Sequence, residues 1–332
     1  MEKMRAVVQR EYGTPDDLEE VSVDVPDPGH SEVLIQVFAA GLNAADTFFL
    51  RGVPYLVRPM AGGFRSPRKD LIIGADLAGK VVATGKKATG FKPGDQVYAE
   101  ARSAVAQFVC VSESDVAAMP KNLSFEQAAA MPMAANTALQ GLRDVANVQA
   151  GQLVLINGAS GGVGTFAVQI AASRGAIVTG VCSTANVDLV RSLGAARVID
   201  YTQEDFTELP DKYDIILDLV GNHALPSIRP VLASRGILVL SAARGGKWLG
   251  PTRRIMAAVS SSIFSSQKMR PLVAKRSKEN LNFLRGLAET GAITPVIDQV
   301  YPMAKARQAM EHVVEGHTKG KVIIAIDSPA AS

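Results

Sequence analysis

Three glycines in one short run, Gly161, Gly162 and Gly164 of Asn157-Gly-Ala-Ser-Gly-Gly-Val-Gly164, have the spacing to receive a pyrophosphate. Backbone N–H groups that open a helix have no partner within it and lie at the positive end of its dipole. They bind an anion wherever no side chain covers them. Against the dinucleotide pattern Gly-x-Gly-x-x-Gly, Ala159 stands at the first glycine, and Gly161 and Gly164 at the second and third. A bound ribose is contacted about 20 residues beyond such a turn. Ser183, Thr184, Ala185 and Asn186 fall there, where an NAD site usually carries an Asp or Glu. A carboxylate repels a 2′-phosphate, whereas hydroxyls and an amide accept one, so NADPH is the expected cofactor.

The elements needed to position these residues are legible around them. Leu153 to Asn157 reads as a buried strand, and Val163, Phe166, Ala167 and Ile170 fall on one face of a helix over 164–174. The alternation continues with strand 176–182, helix 187–193, strand 197–200, strand 213–219, helix 224–233 and strand 237–241. That order predicts a doubly wound parallel sheet in an α/β fold. Before it, segments 4–10, 21–25 and 32–38 are β-like, broken by Pro26-Asp-Pro-Gly29, and they predict a separate β-rich domain. A short helix is predicted over 44–50. Residues 51–70 read as a long loop rich in Arg, Pro and Gly, of the kind that covers a binding site. Ser124 and Gln127 form a capping box for a helix over 125–131. Pro132 interrupts, and 137–145 is helical again. Helices over 280–290 and 304–315 and a strand over 321–326 complete the chain.

Composition excludes other classes. A chain of 332 residues with 47% hydrophobic content fills about two domains, and its net charge of +3 comes from scattered basic residues, which does not suggest nucleic acid. Cys110 and Cys182 are too few for a disulfide framework or a thiolate metal site and fit a reducing compartment. The first residues lack an apolar signal core and no apolar run approaches the length of a membrane span, so a cytoplasmic protein is expected. Segment 247–276 mixes basic and large apolar residues, a pattern that can lie on a membrane surface but reads better as a helix covering a domain edge or a subunit contact.

With Asn157-Gly-Ala-Ser-Gly-Gly-Val-Gly164, Cys182-Ser-Thr-Ala-Asn186, Val198-Ile-Asp-Tyr201 and Gly320-Lys-Val in view, nearly the whole chain resembles the medium-chain dehydrogenase/reductase superfamily. More narrowly it resembles the zinc-free, zeta-crystallin-like quinone oxidoreductase branch. The resemblance implies a GroES-like catalytic domain of residues 1–122 completed by 297–332, around a Rossmann domain at 123–296, in a homodimer. Where the zinc alcohol dehydrogenases carry Gly-x-Cys-x-x-Asp and Gly-His-Glu, this chain has Gly41-Leu-Asn43-Ala-Ala-Asp46 and Gly74-Ala-Asp76. Neither cysteine and none of His30, His223, His312 and His317 is placed to replace the missing ligands, so no metal is expected.

Without a Lewis acid, the easiest reaction is hydride addition to an acceptor polarised by its own carbonyl, a quinone or an α,β-unsaturated ketone or aldehyde. Enoyl-thioester reduction and non-catalytic NADPH binding are the alternatives. Asn43, in the place of the zinc cysteine, and Tyr55, a phenol that donates to an oxyanion while its ring packs on a flat acceptor, are the candidate catalytic groups. For the cofactor, the resemblance adds Tyr201 and Lys321 as phosphate neighbours. It also extends the nucleotide site of Ser160, Gly161, Gly162, Val163, Ser183, Thr184 and Asn186 to Thr137, Val220 and Ser241.

Overall fold

In the computed structural model, which describes residues 2–241, Met256, Ala258 and 265–327, the chain divides into two units. One comprises Met1–Asn136, Arg276–Gly291 and Pro295–Ser332, the other Thr137–Lys275 and Ala292–Thr294. Most of the basic apolar segment 247–276 and its expected helix lie outside the described residues.

The first unit is built on antiparallel strands: β1 (Lys3–Gln9), β2 (Leu18–Asp24), β3 (Glu32–Leu42), β4 (Leu71–Ile72), β5 (Asp76–Thr84), β6 (Gln96–Glu100), β7 (Phe108–Ser112) and β8 (Val116–Ala118). Their alternating side chains enclose a core that includes Val33, Ile35, Val37, Leu77, Val97 and Val109. Helix Ala44–Arg51 follows β3, starting from Asn43, and ends at Gly52. The expected loop 51–70 carries structure of its own, a helical turn at Tyr55–Val57 and another at Arg58–Ala61. Arg58 pins it by donating to the carbonyls of Gly52 and Phe64, at 2.9 and 2.6 Å.

Two segments expected in the dinucleotide domain belong instead to this unit. Helix Phe125–Ala129 lies so close on β3 that a Cβ at Gly41 would stand 2.4 Å from the Ala129 carbonyl oxygen. Helix Lys278–Glu289 docks through buried polar groups: the Tyr98 hydroxyl donates to the Leu281 carbonyl at 2.5 Å, and the Asn280 amide to Asn136 at 2.9 Å. These are tertiary contacts with residues distant in sequence, which the boundary implied by the resemblance does not register. The interruption expected at Pro132 falls just before it, between helix Phe125–Ala129 and helix Pro132–Leu139, which starts at Pro132, where the missing N–H is harmless, earlier than the expected 137.

The second unit carries β9 (Leu153–Asn157), β10 (Ile177–Cys182), β11 (Arg197–Asp200), β12 (Tyr213–Asp218), β13 (Leu232–Leu240) and β14 (Lys268–Pro271), in the parallel order β11-β10-β9-β12-β13-β14. The helix expected over 224–233 shrinks to Leu225–Ile228 and a 3-10 turn at Arg229–Val231, because Pro230 cannot donate to an α-helical ladder. β13 consequently begins at Leu232, earlier than expected.

The chain closes in the first unit with β15 (Ile297–Pro302), helix Ala306–Glu315 and β16 (Lys321–Ala325). β16 pairs antiparallel with β3 in the register Val322↔Leu42, which carries Lys321 to the level of Asn43. No helix among the described residues is long and apolar enough to cross a membrane.

Candidate functional site

The second unit contains the glycine cradle. β9 leads through Gly158, at φ +87°, to Gly161 as the N-cap of helix Gly162–Ser173. Gly164 is required by packing: a Cβ there would stand 2.0 Å from the Gly158 oxygen, so only glycine lets the helix close on the turn. At Gly161 the nearest atom to an added Cβ is 3.6 Å away, leaving its surroundings open. Val163 lies in the first helical turn, beside the unpaired N–H groups.

At the end of β10 the structure joins three of the expected residues. The Asn186 amide nitrogen donates to the hydroxyls of Ser160 and Ser183, both at 3.2 Å. Asn186 is only 7% exposed, and its amide oxygen has no partner among the described residues. A buried acceptor without a donor is costly. A ribose hydroxyl would satisfy it. Turned over, the amide would accept from both serines and offer its NH2 to a phosphate. The residues therefore fit a nucleotide in either orientation.

Thr184 is held by Asp200, its hydroxyl donating to that carboxylate at 2.5 Å. This bond and others from Thr202 keep the Asp200 carboxyl below its ordinary range. Asp200 comes from the neighbouring strand through the register Cys182↔Asp200, a carboxylate beside the ribose end that the reading of β10 alone missed. Tyr201, next to it, is 57% exposed.

Val220 and Ser241 follow the carboxyl ends of β12 and β13, where ligands of open parallel sheets bind. Asp218 organises them. Its side chain accepts from the backbone of Val220 and Gly221 at 3.3 and 2.8 Å, and its carbonyl from Ser241 at 3.1 Å. Thr137 stands half-buried on helix Pro132–Leu139.

Asn43 lies in a different constellation, in the first unit. Lys321 is 3% exposed, and its ammonium donates to the Leu42 carbonyl at 2.8 Å, to the Asn43 side-chain oxygen, and to Asp76 at 3.2 Å. The Asn43 NH2 donates to the same Asp76 oxygen at 3.0 Å, and the Met133 N–H to the other at 2.9 Å. Asp46 accepts the backbone N–H of Asn43 at 2.7 Å. Burial raises the Asp46 carboxyl to about 7 against the opposing pull of that bond and of Lys321. It raises Asp76 as well, opposed chiefly by Lys321.

Lys321 is thus not placed as the phosphate neighbour the sequence suggested, since the three protons of its buried ammonium are already engaged. Tyr55 is not brought into this cluster by any of these bonds. Its ring lies under the Arg58 guanidinium, 4.4 Å from centroid to Cζ. Of the partners that sequence reasoning did not assign, Asp46 and Asp76 had a signal, because both sit in the altered zinc motifs.

Residues 29–179 match the family model of the alcohol dehydrogenase GroES-like domain, and residues 193–324 that of the zinc-binding dehydrogenases. The chain is 33% identical to the chloroplastic quinone-oxidoreductase homolog of Spinacia oleracea, over 97% of its own length and 98% of the relative's. It is 32% identical to the chloroplastic NADPH-dependent alkenal/one oxidoreductase of Arabidopsis thaliana, over 97% and 79%. The quinone oxidoreductase of Coxiella burnetii superposes with a TM-score of 0.86 at 27% identity, covering 98% of this chain and all of that one. The chain belongs to the medium-chain dehydrogenase/reductase superfamily, among its quinone oxidoreductase-like members. It is an oxidoreductase of a family that binds a nicotinamide cofactor.

The zinc implied by one family description does not fit these residues. Where the cysteine and histidine ligands would stand there are an amide, Asn43, and Ala75, which has no donor atom, and the adjacent carboxylate, Asp76, already holds the ammonium of Lys321. A second cation beside that ammonium would be repelled, and an amide is a poor substitute for thiolate. Among the described residues no group of three or more His, Cys, Asp or Glu could hold a metal ion.

Proposed function

We propose that this chain is a zinc-independent reductase that passes hydride from NADPH to a quinone or to an α,β-unsaturated ketone or aldehyde. The observation that carries the reading is the buried Lys321–Asp76–Asn43 cluster, in which a neutral amide stands in the place of the zinc cysteine and binds an internal cation. An acceptor whose own carbonyl is conjugated needs no Lewis acid, only a donor for the oxygen that gains charge. The nicotinamide supplies the hydride when bound. The cradle of Gly161, Gly162, Val163 and Gly164 takes the pyrophosphate, and Ser160, Ser183, Thr184 and Asn186 the ribose and its 2′-phosphate. Asn43 donates to the acceptor's oxygen, and Tyr55 is the second proposed donor. The alkenal/one relative, named for NADPH, supports this choice of cofactor and acceptor.

The test is consumption of NADPH with 9,10-phenanthrenequinone and with a medium-chain alkenal, using protein treated with a chelator and analysed for zinc. Turnover with zinc far below one per chain is the expected result. Absence of turnover with either acceptor, or activity restored only by zinc, would overturn the reading. An enoyl thioester in the same panel separates the alternative of thioester reduction.

A further inference from the structure

The buried ion pair holds both ends of the Asn43 carboxamide at once. A carboxamide has two faces of similar shape, one accepting and one donating, and turns over at little cost unless its neighbours tell them apart. Lys321 can only donate, so it demands the amide oxygen. Asp76, as a carboxylate, can only accept, so it demands the NH2. With both present, one orientation alone satisfies the site. In it the second amide proton has, among the described residues, only the Gly41 carbonyl as a partner, at 3.5 Å, a bond weak enough to be exchanged for a substrate oxygen.

We infer that Lys321 and Asp76 are positioning residues, whose role in the reaction is to lock the Asn43 carboxamide with its N–H as the donor to the acceptor's oxygen. The inference rests on the proposed role of Asn43. It explains a pairing that stability does not demand, since a buried ion pair can be replaced by apolar residues of like shape at little loss. It also accounts for two residues from distant parts of the chain, at β5 and β16, meeting on one amide.

The experiment is a double-mutant cycle in kcat, with NADPH and a quinone, comparing Asn43→Ala, the pair variant Lys321→Met with Asp76→Leu, and all three changes together. Asn43→Ala should lower kcat by about a hundredfold, the scale of a lost oxyanion donor. The pair variant should lose roughly tenfold or more, because about half or more of its amides no longer present the N–H and the rest are not held. The decisive result is the triple variant, expected to be no slower than Asn43→Ala. Losses that multiply, or a pair variant with unchanged kcat, would overturn the inference. An unaffected Asn43→Ala would overturn the role of Asn43 itself, a distinguishable failure. Should the pair variant not fold, Lys321→Gln with Asp76→Asn replaces it in the same cycle, since these neutral amides can face Asn43 with either of their own ends. The affinity for NADPH should stay within about twofold throughout, because a change confined to orientation leaves the cradle untouched.

Discussion

The nucleotide cradle and the Asn43 cluster are constructed in opposite ways. The proposed cradle is backbone, from consecutive residues between the end of β9 and Gly164, and its approach is open because side chains are missing. The cluster is side chain, and its hydrogen bonds join residues 33 and 278 positions apart. A site made of unpaired N–H groups needs only a turn that glycine permits. A buried ammonium needs a counter-charge and acceptors brought to it by strand pairing.

The contrast can be broken most forcefully at the cradle. Gly162→Asp sets a carboxylate against the pyrophosphate, and two like charges about 4 Å apart repel by about 4 kcal/mol at an effective dielectric of 20. NADPH affinity in a calorimetric titration should fall on the order of a thousandfold. The melting temperature should hardly move, since an acidic residue suits a first helical turn. In the cluster the same kind of insult should strike stability. Lys321→Met leaves Asp76 a buried, uncompensated charge and should cost about 3 kcal/mol in urea unfolding at neutral pH. That loss should shrink in acid, where Asp76 takes up a proton. A cradle variant that unfolds, or a cluster variant that is fully stable, would erase the distinction.

A pH series sharpens it further. Asp46 ionises near 3.8 when unfolded, and burial raises it to about 7 when folded. Between those values the folded chain holds the extra proton, so this residue's contribution to stability is greatest at low pH and declines as pH rises to 7. The slope is about 1.4 kcal/mol per pH unit for one proton. Asp46→Asn should remove that slope from unfolding curves taken between pH 4 and 7; an unchanged slope would assign it to another group.

The smallest effect is expected at the rim of the ribose site. Ala185→Arg adds an exposed cation beside Ser183 and Thr184. It should raise the NADPH to NADH ratio of kcat/KM by about tenfold, because an exposed guanidinium is screened and loses freedom on pairing. Asp200, close by, limits the gain. A ratio that does not move at fixed ionic strength would remove Thr184 and its neighbours from the 2′-phosphate pocket.

The dinucleotide unit was legible because its signals are local. Apolar runs, a glycine turn and helix periodicity recur within a few residues of one another, and strands β9 to β12 fall within a residue or so of their expected bounds. The first unit was legible as β-rich, but not in its membership. Helix Lys278–Glu289 follows the dinucleotide strands in the chain and yet packs on Tyr98 and Asn136.

The order of residues alone determined the class of fold, the place of the glycine turn and the departure from the zinc-ligand motifs, since each depends on which residue types stand within a turn or a strand of one another. Tertiary structure decided what replaces that set. Lys321 reads from its motif as a phosphate ligand, and only the antiparallel register Val322↔Leu42, with Gly41↔Asp76 on the other side of β3, takes its ammonium into the interior and closes it on Asn43 and Asp76. The reason is physical: a lysine's charge is free or committed according to what surrounds it, and its surroundings here come from strands that meet only when the sheet has formed.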